Sequence, residues 1–344
     1  MKNKSAGIRV QLNQAEKMRK YLSEKKLLRN DLKISKNNAF IFFPVKEIPN
    51  ELNPYNFVKK EFEKKVIKPK SYKEIGLIPE KLKHELPTSY DVIGDIILIK
   101  LPNNLLKYQK EIGKSLLKSN KNIRTVCSIK PVTGEFRTRN ITVIAGESRT
   151  TTTHKEYGLK LNVNIKNTYF SPRLAAERKR VAELVKPGEI IVDLFTGVAP
   201  FSIMIAKYAD PKIIYAIDKN KEAVLFAKQN IKKNNVLNKI EVINADAKEI
   251  HDILEKKADR IIMNLPFSAH LFFTYALKIA KTHTIIHYYD ILKENKIEDK
   301  TDKLKKIAEE NRYVLTNLDV RKIKTYAPRE FYIRIDITAK KMPM

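Results

Sequence analysis

Four polar groups stand at the ends of four apolar runs, and their types and order suit chemistry. Glu189-Ile-Ile-Val-Asp193 ends in a carboxylate, and so do Lys212-Ile-Ile-Tyr-Ala-Ile-Asp218 and Ile240-Glu-Val-Ile-Asn-Ala-Asp246; Arg260-Ile-Ile-Met-Asn264 runs on into Leu265-Pro266. Each run reads as a buried parallel strand. The polar ends of such strands gather along one edge of an open sheet, where ligands bind. An acid at the second strand end can hold a ribose diol, and an Asp at the third can accept from an adenine amine. The turn Leu194-Phe-Thr-Gly-Val-Ala-Pro-Phe201 after the first strand must let backbone approach an amino-acid tail. This layout suits S-adenosylmethionine. A nicotinamide site requires Gly-x-Gly-x-x-Gly under a pyrophosphate. Here Gly197 is the turn's one glycine, and Val198-Ala199-Pro200 would crowd a pyrophosphate. Acids that only cap loops would explain one or two of the four positions, not the ordered set.

The elements that position these groups lie in the last part of the chain, from 168 to 344. A helix is expected over Phe201 to Tyr208 and another over Asp302 to Asn311. Strands from Tyr313 to Lys322 and from Phe331 to Thr338, joined through 323–330, read as a closing hairpin on a mostly parallel sheet. Before this domain, 72–167 reads as an α+β module. It has a strand over Val92 to Leu101 interrupted at Gly94, a helix over Leu105 to Lys118, and strands over Thr138 to Ala145 and Leu159 to Ile165. Residues 1–60 form a small block with a helix over Asn13 to Lys26 and a strand over Ala39 to Val45. The charged, proline-containing stretch 61–71 reads as a linker, with a solvated helix ending before Pro69 as the other reading of its first half.

Charge points to the partner. The chain has 344 residues, 68 Lys and Arg against 39 Asp and Glu, and a formal net charge of +29. A phosphate polymer makes use of such an excess, because Lys and Arg release its counterions and steer the encounter. A Lys-rich composition alone should not leave the acids so far behind. One cysteine, Cys127, excludes a disulfide framework and a thiolate metal site, and the six histidines lack ligand spacing, so no metal is expected. No run approaches the ~18 apolar residues of a membrane span and no leader core opens the chain, so a soluble, cytoplasmic protein without membrane contact is expected.

Two further segments carry reactive groups. Thr133-Gly134 reads as a turn, after which Arg137 and Arg139 fall on one side of an extended chain, either as a functional pair or as a solvated basic strand. In Tyr169-Phe-Ser-Pro-Arg-Leu-Ala-Ala-Glu-Arg-Lys-Arg180, Ser171 suits an N-cap and Pro172 a first helical position. Arg173 and Glu177 then share a helix face, where a plain surface salt bridge is the bland reading.

Taken together, these segments and the Thr325-Tyr-Ala-Pro-Arg-Glu330 motif resemble the archaeal-eukaryotic tRNA (guanine-37-N1)-methyltransferases, most closely their three-domain archaeal branch. The resemblance covers essentially the whole chain. It implies an α/β, class I (Rossmann-like) S-adenosylmethionine-dependent methyltransferase domain, preceded by an α+β RNA-binding module and a small tRNA-docking domain. It implies methyl transfer to N1 of guanosine 37, with the anticodon stem-loop and a remote part of tRNA as partners of a monomer. By motif position, Glu177 is the general base, Arg137 donates to guanine O6, and Asn264 contacts the guanine edge beside Pro266. Arg173, Arg178, Arg139 and Tyr169 fall on the RNA side. Asp193, Phe195, Gly197, Val198, Asp218, Asp246, Asn264 and Pro266 fall on the donor side. The family usually has Gly where this chain has Ala199, and often Ala where it has Thr196, so the methyl of Ala199 is expected to tighten the donor pocket.

The chemistry agrees with these roles. Guanine N1 carries a proton, a carboxylate can take it, and a guanidinium can stabilise charge on O6. The base must leave the stack, which costs least in an unpaired loop. The alternatives are a wybutosine-pathway enzyme acting at the same position by aminocarboxypropyl transfer or by methylating a tricyclic guanine, and a non-catalytic RNA-binding protein. A small-molecule methyltransferase fits the sheet but not the charge or the leading domains.

Overall fold

The computed structural model describes residues 2–48, 52, 56–65, 71–75, 78–133, 138–255 and 257–343. The chain divides into two compact units, 1–74 and 75–344.

In the first unit, β1 (Lys2–Gln11), α1 (Ala15–Glu24), β2 (Ser35–Lys36), β3 (Phe40–Pro44) and β4 (Phe57–Glu63) form an antiparallel sheet of order β2-β3-β1-β4 beside one helix. Ile8, Val10, Leu22, Phe43 and Val45 make its core. Residues 61–63, expected in the linker, complete β4. Phe62 is buried there, and Lys60 lies 3.8 Å from the Phe42 ring centroid. A buried phenyl ring and a full ladder with β1 outweigh the charge that suggested a solvated stretch.

The second unit begins with β5 (Asp91–Ile93), β6 (Ile96–Ile99), α2 (Gln109–Ser119), β7 (Thr125–Thr133) and β8 (Thr138–Gly146), in sheet order β5-β6-β7-β8. Gly94 does not interrupt one strand, as expected, but reverses the chain between two. Its φ is +56°, and a Cβ there would stand 2.1 Å from Thr152 Oγ1. A hairpin follows, β9 (Thr151–Glu156) and β10 (Leu159–Asn164), turned at Tyr157 and Gly158, both at positive φ.

The remaining elements are α3 (Ala175–Leu184), β11 (Ile190–Asp193), α4 (Pro200–Tyr208), β12 (Ile213–Asp218), α5 (Lys221–Lys233), β13 (Ile240–Asn244), α6 (Ile250–Ile253), β14 (Ala258–Met263), α7 (Phe273–Lys278), β15 (Ala280–Lys293), α8 (Ile297–Glu310), β16 (Tyr313–Ala327) and β17 (Glu330–Lys341). They build a seven-stranded sheet of order β13-β12-β11-β14-β15-β17-β16, parallel except for β17, which runs antiparallel to both of its neighbours. All of β11 is buried, as its unbroken apolar run requires in a sheet covered on both faces. The chain winds outward from β11 to β13 and returns beside β11 with β14. That reversal opens a crevice at the carboxyl ends of these strands.

The boundary expected between 167 and 168 is not a break in packing. Leu159, Leu161, Val163 and Ile165 share one core with Val198, Met204 and Ile205. The free edge of β10 is completed by side chains of α5. Asn230 accepts from the Asn162 N–H (2.7 Å) and donates to its carbonyl (3.0 Å), and Asn234 does the same for Lys160 at 2.9 and 2.8 Å. These bonds fix the α+β module onto the large sheet. Among the described residues no helix is long and apolar enough to cross a membrane.

Candidate active site

Residues from the ends of β11, β12, β13 and β14 line one pocket. Its wall includes Tyr169, Arg178, Phe195, Gly197, Asp218, Asp246 and Asn264, seven of the candidate site residues singled out in the sequence. Asp218 is held rigidly. The Gly197 N–H donates to Oδ2 (2.7 Å) and the Asn220 N–H to Oδ1 (2.9 Å). Each oxygen keeps a second lone pair, so the carboxylate can accept from two vicinal hydroxyls. Burial raises its pKa, against these two backbone bonds. Gly197 has φ +56°, which a side chain would strain. Phe195 and Phe272 meet edge to face at 5.1 Å and, with Leu265, Ala223, Ala245 and Ala247, give the pocket an apolar wall. Burial would raise the Asp246 pKa, but the Lys248 N–H and Lys219 (3.1 Å) outweigh it and lower it.

Asp193 and Val198 are not in that wall. Asp193 is 1% exposed and ties the turn from below, where Oδ2 accepts from the Thr196 and Ser202 hydroxyls, each at 2.8 Å. Its Oδ1 is buried and has no hydrogen-bond partner among the described residues. Burial lifts its pKa to about 6. The Thr196 hydroxyl, which also meets Ser202 at 3.1 Å, is thus part of the turn. Val198 is fully buried and its carbonyl accepts from Asn230 Nδ2 (3.1 Å). The expected crowding by Ala199 does not occur, because its methyl lies in the core outside the pocket. The consequence is in the backbone: Ala199 has φ +64° and ψ +38°, left-handed values that glycine adopts without strain and other residues at ~1–2 kcal/mol.

Asn264 follows β14 at the pocket wall, and its Oδ1 accepts from the Tyr332 hydroxyl on β17. That bond fixes the amide and leaves Nδ2 as its donor. Leu265 also lines the pocket; Pro266 does not. Lys324 lies 5.0 Å from the Tyr332 ring centroid and donates to Ser171 Oγ at 3.3 Å.

The bland surface pair does not form at Glu177, and Arg178 turns inward. Glu177 is buried, and its carboxylate accepts from Arg180 (2.6 and 2.9 Å) and from the Tyr289 hydroxyl (2.7 Å). It does not pair with Arg173, which reaches Asp91 at 2.6 Å instead. Arg178 does not face outward to an RNA. It is 1% exposed, grips Glu156 at 2.7 and 2.5 Å, and donates to the Ser171 carbonyl at 3.2 Å. Ser171 precedes a 3₁₀ turn that leads into α3, but its hydroxyl makes no cap bond. Arg137 lies outside the described residues, and Arg139 stands on β8 opposite Val132 with its side chain undescribed. Sequence reading missed Tyr332, Tyr289, Arg180 and Phe272. Arg180 sits inside the segment singled out, so its spacing of three from Glu177 was a usable signal. Tyr332 and Tyr289 come from strands far away in the chain, and nothing local announces them.

Comparison with known proteins places the chain among tRNA-modifying enzymes in sequence and fold. The TRM5/TYW2 methyltransferase domain matches residues 152–316, the TYW2 N-terminal domain residues 73–150, and the tRNA methyltransferase 5 N-terminal domain residues 7–53. The tRNA (guanine(37)-N(1))-methyltransferase Trm5b of Pyrococcus abyssi is 38% identical over 96% of this chain and 97% of its own length. The structure of aTrm5 in complex with tRNALeu superposes with a TM-score of 0.83 at 38% identity, covering 96% of this chain and 99% of that one. Methanocaldococcus jannaschii Trm5 in complex with adenosine gives a TM-score of 0.65 at 34% identity, over 98% of this chain and 100% of that one. The chain belongs to the Trm5-type tRNA (guanine-37-N1)-methyltransferase family.

Proposed function

We propose that this chain transfers a methyl group from S-adenosylmethionine to N1 of guanosine 37 in tRNA. The observation that carries the reading is Asn264, fixed by Tyr332 at the wall of a pocket whose other wall is Asp218 on its two backbone amides. The residues fit the donor: Asp218 suits the ribose hydroxyls, the left-handed Gly197 admits close backbone approach, and Phe195, Phe272 and Leu265 suit a flat apolar ring. When bound, the donor supplies an electrophilic methyl on a sulfonium.

The chain's own residues do the rest. Asn264 Nδ2 donates to the acceptor edge of an extruded guanine. Glu177 takes the N1 proton, with Tyr289 and Arg180 fixing the direction of its carboxylate. Arg137 stabilises the charge that grows on O6. Arg173 and Arg139 serve the RNA side, and Tyr169 belongs to the donor pocket wall. The first unit, with its own core and the match to the methyltransferase 5 N-terminal domain, docks a remote part of tRNA and brings no chemistry. Its removal should weaken tRNA binding, leave donor binding intact, and flatten the salt dependence.

The test is nucleoside mass analysis of unmodified tRNA incubated with the protein and the donor. 1-Methylguanosine at position 37 supports the reading. An aminocarboxypropyl product would move the chain to the wybutosine branch, and an unchanged nucleoside with retained tRNA binding would make it an RNA-binding protein.

A further inference from the structure

Phe267 follows Asn264-Leu-Pro266 directly and is unusual twice over. Its φ is +72°, and the residue is 48% exposed. A bulky residue in the left-handed region costs on the order of 1–3 kcal/mol, and a ring left half in water gains little from burial. The conformation is nevertheless held firmly. The Phe267 N–H donates to Oδ1 of Asp290 at 2.8 Å. Asp290 is fully buried, accepts from the Ile291 N–H (2.8 Å) and the Tyr288 hydroxyl (3.0 Å), and pairs with Lys300 at 3.0 Å. A buried, satisfied carboxylate thus keeps an aromatic ring directed to solvent.

A second exposed ring meets it. Tyr326, near the β16–β17 turn, is 49% exposed, and the two rings lie edge to face with centroids 5.8 Å apart. Neither lines the donor pocket, although Asn264 and Leu265, just before Phe267, do. Phe267 is thus tied through the chain to two pocket residues, and exposed Arg329 lies in the turn that adjoins Tyr326.

We infer that Phe267 and Tyr326 form a stacking platform for an unpaired base of the substrate RNA next to the methylated guanosine. The inference rests on the function proposed above. Drawing one guanosine out of a loop breaks its stack with its neighbours. An exposed aromatic pair restores a stacking partner for one of them without reading its sequence, since every base has a π face. The formal net charge of +29 favours RNA over an apolar protein surface as the occupant.

The test uses the full chain and full-length unmodified tRNA carrying 2-aminopurine on one side or the other of the target guanosine. Wild-type protein should quench one of the two probes on binding. Phe267→Ala and Tyr326→Ala should each remove that quenching and lower kcat/KM for tRNA by roughly 5- to 150-fold, with donor affinity unchanged. Phe267→Trp should stay within about threefold of wild type. Phe267→Gly relieves the left-handed strain, so it should keep or raise Tm while losing as much activity as Phe267→Ala, a split that a packing role cannot produce. Quenching that survives both alanine variants, with kcat/KM within about threefold, overturns the platform. Quenching is read on binding alone. A protein that quenches but makes no 1-methylguanosine therefore removes the proposed reaction and leaves the platform standing.

Discussion

Arg180 grips Glu177 at two points from one turn further along α3: Nη2 donates to Oε1 at 2.6 Å and Nε to Oε2 at 2.9 Å. The same guanidinium donates to Asp336 at 2.9 Å, Asp336 accepts from His287 Nδ1 at 2.6 Å, and Arg260 donates to His287 Nε2 at 2.7 Å. Burial would lift the Asp336 pKa, but His287 and Arg180 outweigh it and hold it at about 2. Burial lowers the His287 pKa, against the hydrogen bond and charge of Asp336. The carboxylate proposed as the base is therefore the end of a fixed polar chain and not a surface ion pair.

Glu177→Gln keeps the size of the side chain, removes the proton acceptor and gives up one of the two bonds from Arg180. Single-turnover methyl transfer should slow by ~10²–10⁴, with both substrates still bound. A variant within about threefold of wild type would show that Glu177 only organises α3.

Asp218→Ala removes the proposed acceptor for the ribose and the anchor of the Gly197 and Asn220 amides. Donor binding measured by calorimetry should weaken by roughly 1.5–3 kcal/mol, the range for hydrogen bonds to charged groups. An unchanged dissociation constant would place the ribose elsewhere.

Arg178→Met strands the Glu156 carboxylate, which is 7% exposed. The loss in folding stability should be about 3–5 kcal/mol, and replacing Glu156 with Leu as well should recover much of it. If chemical denaturation shows no loss while tRNA affinity falls, Arg178 serves the RNA after all.

Asp193 carries a pH dependence of defined sign. Its pKa is about 6 in the fold against 3.8 as the ordinary value, so the folded state holds its proton over that window. This contribution to stability is present below pH 3.8 and is lost as pH rises through 6, by ~3 kcal/mol in all. The depressed carboxyl of Asp336 acts in the opposite sense, its contribution being lost as pH falls towards 2. The difference in denaturation free energy between wild type and Asp193→Asn isolates the first effect. That difference should change steeply between pH 4 and pH 6 and be flat above; a difference independent of pH would mean that the acid is ionised throughout.

The sheet and its donor edge were legible from sequence because they rest on local patterns. β11, β12 and β14 are apolar runs closed by a polar group, and the left-handed turn needs Gly197. The charge of +29 pointed to a nucleic acid for the same reason, since composition survives without coordinates, and the resemblance of the motifs to a known family narrowed it to tRNA. Tertiary structure decided which polar groups line the pocket and which lie beneath it. Asp193 and Asp218 both end strands, yet one is sealed under the turn and the other opens to the pocket. Arg173, in the 3₁₀ turn before α3, and Arg178, in α3, are five residues apart, yet Arg173 is exposed against Asp91 and Arg178 is enclosed by Glu156. The partners that settle these fates, such as Tyr332 for Asn264 and Asp336 for Arg180, lie 68 and 156 residues away. Burial and hydrogen bonding between such distant residues arise only when the sheet is assembled, so no local signal carries them.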